Sequence, residues 1–307
     1  FNGLQLGAIF ALLGIGLTII LGTMNFLNLA HGALYLIGAY TGLLVSTNLG
    51  LRTGVLADFG FGQIGFGAPF VVALIVVPLV GFAVGVLMER YVAKPFYDRP
   101  HTDQLLVTFG LALVVEEIVK QIIGGNTFQS IDVQQILGIG VTGQGKLPVL
   151  GEFPMWRLIL IIIALIVVGL TWLFIERTDQ GLIVKAGTQD SEMVRLLGIR
   201  IDRSYSLVFG IGAALAAFAG LMGATFQTVS PGIGTNRALI PAFLVLVVGG
   251  AGSARGAIVG GVVLGTVVAA FTQSDFSQWA DIVMYVLVAL VLIVRPQGLF
   301  GSVEVEE

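Results

Sequence analysis

The sequence predicts an all-α fold, a polytopic transmembrane helical bundle. Hydrophobic residues make up 56% of the 307 residues and charged residues only 11%, which is about half the charged share of an ordinary soluble domain. The mean hydropathy is +0.99. Uncharged apolar runs recur along the chain, and about 18 such residues can cross a bilayer as a helix. The 43 glycines fit this class, because small residues let membrane helices approach closely.

These runs predict about eight to nine membrane segments. In chain order they are about 4–21, 30–45, 68–88, 104–123, 156–175, 205–224, 239–248, 257–271 and 282–294. The seventh is too short to cross alone unless it extends or re-enters. Charged or Gly- and Pro-containing loops separate the runs. Residues 3–45 and 210–248 share one order, namely a glycine-rich span, a short break containing Asn and a second apolar run, so we expect a possible internal repeat.

The most highly charged segment lies between two uncharged runs. Ten of the 33 charged residues fall within 176–203, whereas 158–175 and 204–236 contain none. Inside it, Asp190 can cap a short helix over 191–197, and Gly198 can end that helix. Four of its residues form an apolar stripe: Met193, Val194, Leu196 and Leu197. So short a helix needs a surface to pack on, either the chain's own spans or a groove on a soluble partner.

The distribution of Lys and Arg predicts the orientation, because cytoplasmic loops carry an excess of both. If segment 176–203 is cytoplasmic, alternation of the spans places 89–103, Arg255 and Arg295 on the same side. Ten of the fifteen cations then lie inside, and the loop 124–154 lies outside.

The composition also argues against several kinds of site. The absence of cysteine excludes thiol chemistry and disulfides, and two histidines are too few for a histidine metal cluster. A net charge of −3 argues against a nucleic-acid partner. Residues 140–146 match the start of a P-loop, but Leu147 replaces the hydroxyl residue that binds Mg²⁺, and Pro148 disfavours the helix that should follow. We therefore expect no nucleotide site, metal or cofactor in this chain.

A few polar residues lie in or beside the apolar runs. His31 begins the second run, three residues after Asn28. A polar group at membrane depth is costly and therefore a functional candidate, although a helix-start histidine bonded to backbone is the alternative. Glu116 and Glu117 could form a carboxylate pair, or Glu116 could pair with Lys120 four residues along a helix.

These landmarks together resemble the permease subunit of the ABC importers for branched-chain amino acids. The similarity covers nearly the whole chain. The motifs that carry it are Asn28-Leu29-Ala30-His31-Gly32, Glu89-Arg90 with Pro95, Leu196-Leu197-Gly198-Ile199 with Asp202-Arg203, Gly249-Gly250 with Gly252-Ser253, and Arg295-Pro296-Gln297-Gly298-Leu299-Phe300-Gly301. Two departures are Leu29, where the family has an aromatic residue, and Asp190-Ser191, where it often has Asn-Pro.

The resemblance implies a transport subunit that is not itself an enzyme, with a single transmembrane permease domain over 1–307. Its partners would be a second related permease subunit, two cytoplasmic ABC ATPases that use ATP and Mg, and an extracytoplasmic solute-binding protein, in the plasma membrane of a prokaryote. Residues 176–204 would be the cytoplasmic coupling loop, with ATPase contacts at Asp190, Glu192, Met193, Arg195, Leu196, Leu197 and Gly198. Asn28 and His31 would be candidates for the translocation path.

The cargo and two other classes stay open. Branched-chain or other hydrophobic amino acids are the expected cargo, but related importers carry urea or short amides. A stand-alone secondary transporter or channel would need ionisable residues within the spans, and these are nearly absent. A membrane enzyme would need a His, Asp or Glu cluster at one membrane face, and the sequence shows none.

Overall fold

The structure is a computed structural model that describes residues 2–131, 133, 144–147, 151–189 and 191–301. It is mostly helical, as the sequence predicts. The α-helices are α1 (Asn2–Met24), α2 (His31–Ser46), α3 (Val55–Asp58), α4 (Phe70–Met88), α5 (His101–Ile123), α6 (Met155–Arg177), α7 (Asp179–Gln189), α8 (Ser191–Leu196), α9 (Ile201–Gly223), α10 (Ile240–Gly249), α11 (Ala254–Thr272) and α12 (Ala280–Val294).

Short elements connect these helices. Two antiparallel hairpins pair β1 (Leu49–Gly50) with β2 (Gln63–Ile64) and β3 (Gln144–Leu147) with β4 (Gly151–Pro154). Glu89–Ala93 and Gly234–Leu239 are π-helical, and Lys94–Phe96 and Ser277–Trp279 are 3₁₀-helical.

Six helices among the described residues are long and apolar enough to cross a membrane. They are Asn2–Met24, Phe70–Phe96, Met155–Arg177, Ile201–Gly223, Ala254–Thr272 and Ser277–Val294. Every predicted segment contains a helix, but α2 has 16 residues, or about 24 Å, against about 30 Å of hydrocarbon. The apolar helix Gly234–Gly249 is equally short, and α5 carries several charges. The count of eight to nine crossings therefore stays a prediction.

Helices α1 and α9 form the centre of the bundle. In their membrane-crossing windows 83% and 78% of the residues are buried, against 28% for α6 and 17% for α12. A helix that is apolar on all sides is stable only when other helices surround it or when lipid does. The outer helices expose large apolar side chains such as Ile75, Leu165 and Ile293, as lipid-facing surfaces do.

Glycines allow the central backbones to touch. A Cβ atom added at Gly16 would lie 2.7 Å from the carbonyl oxygen of Gly212, and one at Gly38 would lie 2.0 Å from that of Ala217. Similar approaches join α1 to α11 at Gly7, Gly261 and Gly265, and α4 to α9 at Gly81 and Gly85. Close packing of small residues supplies the attraction that the hydrophobic effect cannot supply between helices in lipid.

The helix ends form two groups at opposite ends of the bundle. At the charged end, defined by residues 89–101, 176–201 and 250–255, Lys94 Nζ lies 2.9 Å from Asp202 Oδ2 and the Tyr97 hydroxyl oxygen lies 3.4 Å from Met24 Sδ. At the other end, Asn2 Nδ2 donates to Gln273 Oε1 at 2.8 Å. The backbone amides of Phe128 and Val229 exchange hydrogen bonds there as well.

The contact at Gly38 predicts a stability effect. Gly38→Ala should lower the free energy of unfolding by about 1–3 kcal/mol, because the new methyl group overlaps the α9 backbone. Gly169→Ala on α6 is the matched control, since a Cβ there meets nothing within 4 Å. Thermal melting of the purified protein in mild detergent checks this, and equal melting temperatures for the two variants would contradict it.

Candidate functional site

Two helices are interrupted inside the bundle. The first break (residues 25–30) separates α1 from α2, and the second break (residues 224–233) follows α9. Their ends meet, since a Cβ at Gly32 would lie 2.6 Å from the carbonyl oxygen of Gly234. The ring Nε2 of His31 lies 3.1 Å from the carbonyl oxygen of Leu13, midway along α1, so this meeting point is deep in the bundle. Non-helical backbone at such depth must find hydrogen-bond partners within the protein.

Asn28 and His31 lie together at the first break and are both 0% exposed. Asn28 Oδ1 accepts from the amide of Ala30 at 3.0 Å, and the Asn28 carbonyl accepts from the amide of His31. Asn28 Nδ2 and His31 Nδ1 have no hydrogen-bond partner among the described residues. In this conformation both side chains face the bundle interior. The hydrogen bond of His31 to backbone fits the alternative given by the sequence, a histidine at a helix start that bonds to backbone.

Two side chains of α5 satisfy the backbone of the first break. The Oε1 atom of Gln104 accepts from the amide of Leu27 at 3.2 Å, and Oγ1 of Thr108 accepts from the amide of Leu29 at 3.0 Å. Both side chains are at most 1% exposed. Neither residue was among the predicted site residues, although Gln and Thr four residues apart in an apolar run are a detectable signal.

The second break is held by other long-range contacts. Phe128 and Val229 form an isolated antiparallel bridge, and Gln227 Nε2 donates to the Tyr35 hydroxyl at 2.7 Å. Just beyond the break, Thr235 Oγ1 donates to Glu116 Oε2 at 2.8 Å.

The contacts of Glu116 correct the predicted Glu116–Lys120 pair. Lys120 instead lies 3.1 Å from Glu117, three residues away, because Glu116 turns towards Thr235. Within the described parts of the chain, no three His, Cys, Asp or Glu side chains are grouped to hold a metal ion.

A buried carboxylate lies at the charged end. Glu89 is 1% exposed and accepts hydrogen bonds from the Tyr97 hydroxyl at 2.8 Å and from Ser206 Oγ at 2.5 Å. It begins a π-helical turn, a feature that is frequent at functional sites. Burial, reinforced by the negative charge of Glu89, raises the pKa of Tyr97, so Tyr97 stays a neutral donor. These contacts join the end of α4 to α9.

Segment 176–204 contains α7, α8 and the start of α9. Helix α8 ends at Leu196, one residue before the predicted end. Gly198 has φ +78°, and the amide of Ile199 donates to the carbonyl of Val194 at 3.4 Å, the hydrogen-bond pattern that a glycine permits after a helix. Asp190 lies outside the described residues, and nothing is described for the side chains of Glu192 and Arg195.

The predicted apolar stripe on α8 divides into two parts. Val194 is 5% exposed and packs into the core of this chain, whereas Leu196 and Leu197 are 76% and 71% exposed. Met193 is also more than half exposed. Val194 therefore anchors α8 to the bundle, and the leucine pair presents an apolar surface to the outside.

The P-loop-like sequence adopts a different structure at its lysine. Lys146 lies in β3, which pairs with β4 in a hairpin, whereas a P-loop lysine begins a helix. The rest of the motif, residues 140–143, lies outside the described residues.

Comparison with known proteins decides the family. A family model described as "Branched-chain amino acid transport system / permease component" matches residues 1–292. The chain belongs to this permease family. It is 32% identical over 309 residues to the high-affinity branched-chain amino acid transport system permease protein LivH of Escherichia coli K12, with 100% of this chain and 96% of LivH covered.

Two further relatives show the range of this permease family. BraD of Pseudomonas aeruginosa, which has the same descriptive name, is 34% identical over 310 residues and is covered to 96% of its length. LivM of Salmonella typhimurium, another permease protein of a high-affinity branched-chain amino acid system, is 30% identical over 309 residues, covering 95% of this chain and 67% of LivM. No solved structure matches the chain.

The division of the α8 stripe predicts different stability effects. Val194→Ala removes two buried methyl groups, each worth roughly 0.8 kcal/mol, and leaves a cavity, so the melting temperature should fall. Leu197→Ala removes more carbon atoms but from an exposed side chain, and its effect should stay within about 0.5 kcal/mol. Melting of the purified permease in detergent would contradict this if Leu197→Ala were the more damaging change.

Proposed function

We propose that this chain is a membrane-spanning permease subunit of an ATP-driven ABC importer that moves branched-chain or other hydrophobic amino acids into a prokaryotic cell. The observation that carries the proposal is the match to the permease family over residues 1–292, with LivH and BraD covered almost completely. The subunit works in the plasma membrane. ATP and Mg act in two ATPase subunits on the cytoplasmic side, and this chain holds no cofactor.

A second permease subunit and an extracytoplasmic solute-binding protein complete the importer. The pairing is supported by the similarity of this chain to both LivH and LivM of Escherichia coli K12, which carry the same system name as separate permease proteins. It is also supported by the exposed apolar faces of α5, α6 and α12, which offer surface for a partner subunit as well as for lipid.

Uptake by the reconstituted importer tests the proposed function. Proteoliposomes with the chain, its partner permease, the ATPases and the binding protein should accumulate labelled leucine, isoleucine or valine only when ATP is supplied. Liposomes without this chain are the control. Accumulation of urea or a short amide in place of leucine would show that the assigned cargo is wrong. Uptake driven by an ion gradient without the ATPases would contradict an ATP-driven importer.

We infer that the membrane domain has nine segments arranged as an inverted repeat. In this repeat α1 corresponds to α9, α2 to α10, α4 to α11 and α5 to α12. The glycine contacts between α1 and α11 are then equivalent to those between α9 and α4. Helices α1 and α9 have 23 residues each, and α4 and α11 have 19 each. Because α1 ends at the charged end whereas α9 begins there, the halves run in opposite directions, as in many transporters.

The charged end faces the cytoplasm in this proposal, which the excess of Lys and Arg there supports. The chain has no cysteine, so the labelling of one introduced cysteine shows which side of the membrane that position faces. Ser277→Cys, at the other end, should react with an impermeant thiol reagent on intact cells, whereas Arg200→Cys should react only after permeabilisation. Both positions are exposed. Labelling of Arg200→Cys in intact cells would contradict this orientation.

Segment 176–204 acts as the coupling loop in this proposal, with Leu196 and Leu197 as its apolar contact to an ATPase. Their exposure above 70% supports this, because leucines on the aqueous side are stabilised when a partner covers them. The other candidate contacts, Asp190, Glu192, Met193, Arg195 and Gly198, surround this pair in sequence.

Truncating the leucine pair predicts a loss of coupling without a loss of folding. Leu196→Ala with Leu197→Ala should melt like the parent but fail to link uptake to ATP hydrolysis, because each methylene lost from the interface weakens docking by roughly 0.8 kcal/mol. Val194→Ala is the contrasting variant, since it should weaken the permease itself. A double variant that transports at the parental rate with its ATPase bound would exclude α8 as the coupling element.

A further inference from the structure

One face of α5 contacts both breaks. Gln104, Thr108 and Glu116 are separated by four and eight residues, so they lie along one stripe of the helix. The first two accept hydrogen bonds from backbone amides of the first break, and Glu116 accepts from Thr235 just after the second break. Ala112, the remaining residue of the stripe, is buried.

Between the charged residues near its two ends, the other faces of α5 are apolar and exposed. They include Leu106, Leu113, Val114 and Ile118, which are 48–74% exposed. Polar side chains on a helix at membrane depth are costly unless they find partners, so the breaks account for the polar residues of the stripe.

The first turn of α5 is also tied to the charged end. Gln104 Nε2 donates to the carbonyl oxygens of Phe96 and Arg99 at 3.1 and 3.2 Å. Between these two residues lies Tyr97, which bonds to Glu89, and Glu89 accepts from Ser206 on α9. Segment 176–204 ends in the first turn of α9, so contacts run without interruption from that segment to α5.

We propose that α5 is a positioning helix for transport, which holds the two breaks in register through Gln104, Thr108 and Glu116 and makes movement of one break depend on the other. This inference rests on the proposed function, because register between the breaks matters only if they move during transport.

Thr108→Val provides the first test, with Thr171→Val on α6 as its matched control. Both threonine hydroxyls donate to the carbonyl four residues earlier, but only Thr108 also accepts from a break amide. An unpaired buried amide predicts about a tenfold loss of maximal uptake rate in the reconstituted importer for Thr108→Val. The KM for substrate and the rate of ATP hydrolysis should stay unchanged, and Thr108→Ser should restore uptake. Equal uptake by the two valine variants would overturn the proposal.

A second measurement does not require transport. A single cysteine introduced at Leu29 should be alkylated several-fold faster with Thr108→Val than with Thr171→Val in the purified importer, because the break loses its bond to α5. Failure of the parental importer to take up leucine would refute the proposed function alone. Equal alkylation rates would refute the role of α5 whether or not the importer transports.

Glu116, at the far end of the stripe, provides the third test, which depends neither on alkylation nor on Thr108 alone. Glu116→Leu should reduce uptake, whereas Glu117→Leu should not, because the partners of Glu117 among the described residues are Lys120 and Gln121 of its own helix. If α5 joins the breaks, adding Glu116→Leu to Thr108→Val should cause little loss of uptake beyond the loss that Thr108→Val causes alone. Losses that multiply would show two independent sites and overturn the proposal.

Discussion

Backbone hydrogen bonding at membrane depth is the constraint on which the rest of this structure depends. The two breaks meet between the central helices, near Gly32 and Gly234, where lipid cannot satisfy free amide and carbonyl groups. The chain meets this demand at the first break with two side chains of one distant helix, Gln104 and Thr108 of α5, and at the second break with the Phe128–Val229 bridge. Three of the buried polar residues, Asn28, Gln104 and Thr108, therefore lie in or against the first break.

The glycines follow from the same constraint. The breaks can meet only if their helices come into backbone contact, which is what Gly32 and Gly234 permit at the junction and Gly16 and Gly212 permit between the two central helices. Backbone contact also maximises van der Waals attraction, the main source of helix association in lipid. A side chain at these positions would separate the helices and expose the breaks.

The charged end has a different physical character. There the chain places a buried carboxylate, Glu89, beside α9 and leaves Leu196 and Leu197 exposed on α8. Burial of Val194 in the same short helix fixes that surface to the bundle, because a helix of six residues has little stability of its own. An apolar surface on a firmly attached helix suits transmission of movement from a partner better than a free loop does.

The sequence by itself determined the membrane class, the location of the long apolar helices and of α8, and the family, whereas the short helices α3 and α7 were not predicted. Uncharged length and glycine content are local properties, and so is the end of α8 at Gly198, where a positive φ favours glycine. The motifs that indicated the family are likewise short stretches of chain. Helix bounds differed from the predicted ones by a few residues, because capping and packing shift helix ends.

Only the tertiary structure decided which polar groups meet. Gln104 and Thr108 lie 77 and 79 residues from their amide partners, and Glu116 lies 119 residues from Thr235. Helical spacing predicted a Glu116–Lys120 pair, which was wrong because a long-range partner competed for the carboxylate. Helical spacing also grouped Val194 with the two exposed leucines of α8. Val194 is instead buried, because the neighbouring helices determine which surface of α8 packs against the bundle. Spacing along one helix gives the faces of that helix, but the choice of face depends on the neighbours that the fold supplies.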